Sequence, residues 1–235
     1  MTHYNPWPLG NLPEAWRRPE PEIIKGLGYL WEDPRDIIGI FEKKIAKYSG
    51  SKYAVLTDCC SNALYLALKY RNFKGKIDVP ENTYLSVPMQ ILHAGCQVNF
   101  VPVKWQGLYK LDPVGIIDGA GRFRKNMYEG GDDLHLLSFQ IKKRVPIGRG
   151  GAILTNSEHA YNWLKLASYD GRDLNLPYQN PSHVKAIGWH FYMTPEDAAR
   201  GIIIMDQLGE NLEDILSWAN YPNLKTYDYK FSNEN

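Results

Sequence analysis

Side chains at four places in the chain sit where the sequence would let them do chemistry. Two adjacent lysines, Lys142 and Lys143, stand in the stretch LLSFQIKKRVPIGRGGAILTN, between an apolar run and a glycine-rich turn. Asp118 closes the apolar run VGIID and is followed by Gly119, so its carboxylate can emerge at a strand tip with little backbone crowding. An acid buried there needs a cationic partner. Cys60, Ser61 and Asn62 fall where the strand-like KYAVLTD gives way to the helical SNALYLALKYR. A helix amino terminus offers free N–H groups and a favourable dipole, which together make a seat for an anion such as phosphate. Tyr84 follows DVPENT at the start of the next helix, where its face could cover a flat ring. Each also has an ordinary reading: Ser61 as a helix cap, Tyr84 as packing, Asp118 as a turn acid and the lysines as solvated charge.

Together these residues are what a pyridoxal phosphate site requires. An acid keeps a proton on the pyridine nitrogen, a lysine forms the Schiff base that an incoming amine displaces, and an anion seat holds the phosphate. Along LHLLSFQIKK, read as extended chain, neighbouring side chains point to opposite faces, so the two lysines cannot both aim at one ring.

The elements that must position them alternate in type. Residues 33–48 have apolar positions at roughly helical spacing after an Asp-Pro start; KIDVP, QVNFVPV, VGIID, LHLLSF and GGAILTN read as strands. TYLSVPMQILHAG and SEHAYNWLKLASYDG read as helices, and TPEDAARGIIIMDQLGENLEDILSWA as a longer helix or helix pair. Strands alternating with helices predict a three-layer α/β/α fold with a mostly parallel sheet, whose ligands bind beyond the carboxyl ends of the strands. The 235 residues are expected to form one domain, with residues 1–32, rich in proline and tryptophan, as an extended arm and residues 217–235 as a tail.

Composition narrows the partners. A net charge of +1, from 27 basic and 26 acidic residues without a run of either, gives no nucleic-acid footprint and no membrane stripe. The amino terminus has neither the basic start nor the apolar core of a secretory signal, so a cytoplasmic protein acting on a small molecule is expected. Three cysteines, two of them adjacent, are poorly spaced for disulfides or zinc, and no metal site is expected.

Five segments in order resemble the DegT/StrS-type (DegT/DnrJ/EryC/StrS) sugar aminotransferases of the fold-type I pyridoxal phosphate enzymes, over about residues 41–208. FEKKIAKYSGSKYAVLTDCCSNALYLAL is similar to the family's phosphate-turn segment, with Ser61 in place of the usual threonine. VPENTYLSVPMQILHAGCQVNFVPV is similar to the segment carrying the ring-stacking aromatic, here Tyr84. GIIDGAG resembles the acid segment and implies Asp118 on the pyridine nitrogen. DDLHLLSFQIKKRVPIGRGGAILTN resembles the segment with the serine and the lysine; it implies Ser138 near the phosphate and, five positions on, Lys143 at the Schiff base. GWHFYMTPEDAARGIIIMDQL is similar to the glycine-aromatic segment and its following helix.

The departures are specific. KWQGLYKLDP stands where the family usually has some dozens of residues, and the resemblance implies a shortened member, expected to lack the carboxy-terminal small domain. Gly121 replaces a glutamine or histidine near the ring hydroxyl. His190 replaces an asparagine that a neighbouring subunit offers to the phosphate, and Tyr192 replaces an arginine. The resemblance implies an aminotransferase moving an amino group from an amino acid such as glutamate to a keto sugar on a nucleotide. It also implies a homodimer in which His190 reaches across the interface. The alternative is a truncated, non-catalytic homologue that binds the cofactor or a partner. A nucleotide-binding protein without pyridoxal phosphate would need a fingerprint such as GxGxxG after the first strand, and TDCCSNA has none.

Overall fold

The computed structural model describes residues 13–209 and 213–231. Inside the segment expected as an extended arm, α1 (Glu20–Gly26) is helical. Pro21 falls in its first turn, where a proline forfeits no intrahelical bond, and Ile24 is fully buried in the core it shares with Ile202. The prolines therefore start this helix instead of preventing it. Next, α2 (Pro34–Ser49) opens on a reciprocal capping box between Asp33 and Asp36 and stops at Gly50, whose φ of 84° suits glycine.

The expected alternation then holds through β1 (Tyr53–Thr57), α3 (Cys60–Arg71), β2 (Lys76–Pro80), α4 (Ser86–His93) and β3 (Gln97–Val101). Four strands follow without an intervening helix: β4 (Tyr109–Leu111), β5 (Ile116–Asp118), β6 (Leu134–Ser138) and β7 (Gly151–Thr155). Helices α5 (Glu158–Ser168) and α6 (Pro195–Asp206) come after them. Each begins at a capping hydroxyl, Ser157 or Thr194, that accepts from a backbone N–H in the first turn.

The α/β architecture is as expected, and strand direction is where it differs. The main sheet runs β1-β7-β6-β5-β4, and of its four pairs only β5·β6 is parallel. A second, two-stranded sheet pairs β2 with β3 in parallel. The physical reason is connection type. A parallel neighbour needs a long crossover, which α4 supplies between β2 and β3, whereas turns join β4 to β5 and β6 to β7, and the chain folds straight back.

Alternation along the strands fills two cores. Ala54 and Leu56 of β1 pack with Phe41, Ile45 and Ile202 on one face, while Val55 packs with Leu64, Leu66 and Leu164 on the other. Helices α1, α2 and α6 cover the first face and α3 and α5 the second, with α4 packed outside on α3 and the β2–β3 pair, which makes three layers. Each such fully buried aliphatic side chain contributes on the order of 1.5–3 kcal/mol.

The expected helix pair after Thr194 ends at Asp206. Residues 213–231 instead form a strap of short 3₁₀ turns against the β4 edge. Its backbone is tied by Gly107 N–H to Leu216 O (2.8 Å), Trp218 N–H to Trp105 O (3.0 Å) and Leu224 N–H to Glu81 O (2.6 Å). A two-pronged bond from Arg122 to Asp214 (2.8 and 2.6 Å) holds its start.

Candidate active site

Strand register decides which side chains meet. In β5 and β6, Asp118 and Ser138 share a face with Ile116, Leu134 and Leu136, which pack toward α3. Ser138 and Thr57 both pair with Gly151 of β7, and a Cβ on Gly151 would lie 2.6 Å from Cys60 N. Only glycine there lets the amino terminus of α3 press onto the sheet beside Ser138.

That terminus is capped by Cys59, whose Sγ accepts from Asn62 N–H at 3.4 Å. Ser61 is therefore not the cap. It lies in the first turn with its hydroxyl 2.7 Å from that of Ser86, at the start of α4. Two helix amino termini thus bring hydroxyls together.

Cys60, Ser61, Tyr84, Asp118, Ser138 and Lys143 all line one cavity of about 600 Å³. Asn62 and His190 do not. The Asn62 amide donates to Asp58 Oδ1 (2.7 Å), whose other oxygen takes Arg149 (2.8 Å), so Asn62 braces the turn from outside. His190 is exposed, with Nδ1 3.0 Å from Asp170 Oδ2. Tyr84 stands at the rim, 60% exposed, edge-on to Tyr221 at 6.4 Å between ring centres.

The two lysines are separated by a turn and not by strand alternation. Strand β6 ends at Ser138; Lys142 N–H then bonds Gln140 Oε1 and Lys143 N–H bonds Gln140 O, both at 2.8 Å. Lys142 is left exposed and Lys143 half-buried. Burial pushes the Lys143 ammonium below the usual lysine value, and the neighbouring Asp118 and Cys60 pull it partly back. Burial also holds the Cys60 thiol well above its ordinary value, so it stays protonated.

Asp118 is 7% exposed, and both of its oxygens are bonded. Oδ1 accepts from Ala120 N–H at 2.9 Å and Oδ2 from the Tyr109 hydroxyl at 2.6 Å, while the Thr83 hydroxyl lies 2.6 Å from that of Tyr109. Lys142 also reaches the lining, as do Trp105, Tyr109, Leu216 and Tyr221, which were not singled out from the sequence. The alternating YKL in KWQGLYKLDP was the available signal for Tyr109; for Tyr221 there was none, because its contacts are long-range. Burial, then Asp118, Tyr84 and Cys60, push the Tyr221 phenol up to about 12. Gly121 backs onto the strap, where a Cβ would lie 2.9 Å from Gly107 O and 3.0 Å from Leu216 Cβ.

The donor set fits pyridoxal phosphate: an anion seat at α3, a buried acid, and a half-buried amine with no hydrogen bond or ion pair of its Nζ among the described residues. Residues 36–117 match the model of the DegT/DnrJ/EryC1/StrS aminotransferase family. Over those residues the chain is similar to this family. Among curated relatives, GDP-perosamine synthase of Caulobacter vibrioides is 24% identical over 224 residues, covering 76% of this chain and 59% of that protein. UDP-4-amino-4,6-dideoxy-N-acetyl-beta-L-altrosamine transaminase of Campylobacter jejuni is 23% identical over 217 residues, covering 74% and 57%. The chain thus spans under three fifths of the length of these two proteins. A solved GDP-4-keto-6-deoxymannose-3-dehydratase with a trapped PLP-glutamate geminal diamine superposes with a TM-score of 0.60 at 17% identity, covering 83% of this chain and 67% of that one. That likeness establishes the fold.

Proposed function

We propose that the chain is a pyridoxal phosphate-dependent aminotransferase that moves an amino group from an amino acid such as glutamate to a keto sugar carried on a nucleotide. The observation that carries this reading is the convergence of buried Asp118, half-buried Lys143 and the amino terminus of α3 on one cavity. When bound, pyridoxal phosphate supplies an aldehyde that captures amines and a ring that takes up the electrons of the carbon losing its proton.

The chain's own residues divide the remaining work. The N–H groups at the start of α3, with the hydroxyls of Ser61 and Ser138, bind the phosphate. Asp118 holds a proton at the ring nitrogen, and Tyr84 covers a ring face. Lys143 Nζ takes the proton from the substrate carbon and returns it, a role that its burial favours by bringing the neutral amine closer to neutral pH. Asn62 supports the phosphate turn through Asp58.

The names of these two relatives support the nucleotide-sugar class. In this reading the protein acts in the cytoplasm as a homodimer, with His190 serving the cavity of a second copy; among the described residues no helix is long and apolar enough to cross a membrane. Exposed Trp16 and Leu30 support a partner surface near the arm, while Trp7 lies outside the described residues. In the same reading residues 13–32 serve as the arm and residues 217–231 as the tail of one domain; the rest of the expected arm (1–12) and tail (232–235) lies outside the described residues.

Borohydride reduction of the yellow, cofactor-loaded protein followed by peptide mapping tests the reading. An adduct at Lys143 is expected. Modification at Lys142 or at a distant lysine would overturn the assignment, and a protein that stays colourless at saturating cofactor would favour a non-catalytic role.

A further inference from the structure

We propose that Tyr109 is a positioning residue: its hydroxyl fixes the Asp118 carboxylate and ties it to the segment that carries Tyr84. The consequence for catalysis rests on the aminotransferase reading, but the hydrogen-bond chain does not. Strand β4 pairs antiparallel with β5 in a register that sets Tyr109 directly opposite Asp118. Directly paired residues present their side chains on the same face, so the phenol and the carboxylate meet by construction. The Tyr109 ring is 6% exposed and leans on Trp105, with centres 4.9 Å apart. Trp105 is itself pinned by Nε1–H to Asn82 O at 2.8 Å.

The direction of the chain follows from the number of protons. The phenol has one proton, and Asp118 Oδ2 at 2.6 Å takes it. Thr83 Oγ1, also at 2.6 Å, therefore donates to Tyr109. Burial, and next the Asp118 charge, hold the phenol well above its usual value, so Tyr109 remains a donor wherever the protein is folded. With Ala120 N–H on Oδ1, the carboxylate is gripped at both oxygens and cannot rotate. Its remaining lone pairs are left for a ring nitrogen. Thr83 immediately precedes Tyr84, so one relay sets the acid and the aromatic plate together. Besides Tyr109 on β4, the titratable groups acting on this region are Cys60 of α3, Lys143 of the β6–β7 turn and Tyr221 of the strap.

Tyr109→Phe removes only the hydroxyl. In the full, unloaded chain, NMR-detected hydrogen exchange follows the Ala120 amide, whose bond to Asp118 Oδ1 reports how firmly the carboxylate is held. Losing the phenol donor should free the carboxylate and speed exchange at Ala120 about tenfold. Thr83→Val, which weakens the same relay at one remove, should speed it less, with melting temperatures reported for both. In the cofactor-loaded protein, Tyr109→Phe should weaken cofactor affinity about tenfold. Exchange at Ala120 unchanged in both variants overturns the proposal. If Tyr109→Phe fails to fold, Thr83→Val decides alone. If the unmutated chain shows no visible band, the aminotransferase reading fails while the exchange measurement still decides the role of Tyr109.

Discussion

Two walls of the same cavity are held by different forces. Asp118, Ser138 and Lys143 hang from β5, β6 and the turn into β7, strands that are hydrogen-bonded on both sides and whose apolar residues are almost all buried. Trp105, Leu216 and Tyr221 hang from the approach to β4, at the edge of the sheet, and from the strap. There the ties are a few backbone bonds, the Arg122–Asp214 pair and ring contacts such as Trp105 on Tyr221 at 5.8 Å. Groups that handle protons need fixed geometry, and those assigned that work in the proposed reading stand on the laddered wall. Residues that meet whatever enters the cavity stand on the wall with less holding it. Tyr109 joins the two, since its backbone belongs to the edge strand and its hydroxyl to the acid.

The comparison breaks most visibly in turnover. Lys143→Ala should cost about 10²–10⁴-fold in kcat, the usual range for a lost acid–base group, with little change in folding. Tyr221→Ala should instead act through KM, lowering kcat/KM by about 10–200-fold. Steady-state kinetics on a nucleotide-linked keto sugar separates the two. Equal kcat losses would show that both walls handle protons and remove the distinction.

Stability sharpens the contrast at the next level. Leu136→Ala, at a fully buried position in β6, should cost about 2–5 kcal/mol and lower the melting temperature of the whole chain. Asp214→Asn should cost about 1–3 kcal/mol and act locally, with faster hydrogen exchange at the Gly107 and Ile215 amides and little at β6. Arg122 holds the Asp214 carboxyl below its ordinary 3.8, so its contribution is complete above that value and is lost as pH falls through the lower folded one. The mutant and the unmutated protein should thus differ fully at pH 6 and converge in strong acid. Equal exchange changes in β6 and the strap would mean that the walls unfold as one unit.

The smallest expected effect concerns Lys143 alone. Its folded value is depressed, so the charged form weakens the unloaded fold at neutral pH, and that penalty fades as pH rises through the folded value toward 10.5. Lys143→Met should raise the melting temperature slightly at pH 7, and the gain should shrink above pH 10. A gain that grows with pH would reverse the sign of this account.

The laddered wall was the more legible one in the sequence. Asp118 and Ser138 end apolar runs whose period carries them to one face, and Ser157, Thr194 and Gly50 punctuate their helices by local chemistry alone. What escaped depends on partners distant in the chain or on the lengths of links. The antiparallel turn from β4 to β5 followed a link too short for a crossover, and β1 lies beside β7, far from it in the chain. Asn62 was expected in the cavity, but Cys59 takes the cap and turns the asparagine toward Asp58. The prolines near Glu20 read as helix-breaking until Pro21 is seen at a first turn. The strap's hold on Trp105 and Glu81 spans more than a hundred residues and leaves no local pattern.

The back-to-back meeting of Gly107 and Gly121 constrains how this molecule can change. Gly107 has a φ of 73°, and a Cβ there would lie 2.3 Å from Asp214 Cγ, just as one on Gly121 would strike Gly107 O and Leu216. A side chain at 121 and the strap in its present course exclude each other. Positions 107, 121, 214 and 216 are therefore expected to covary among related sequences. In any lineage that places a ring-contacting residue at 121, the strap has to be rerouted before that substitution becomes tolerable.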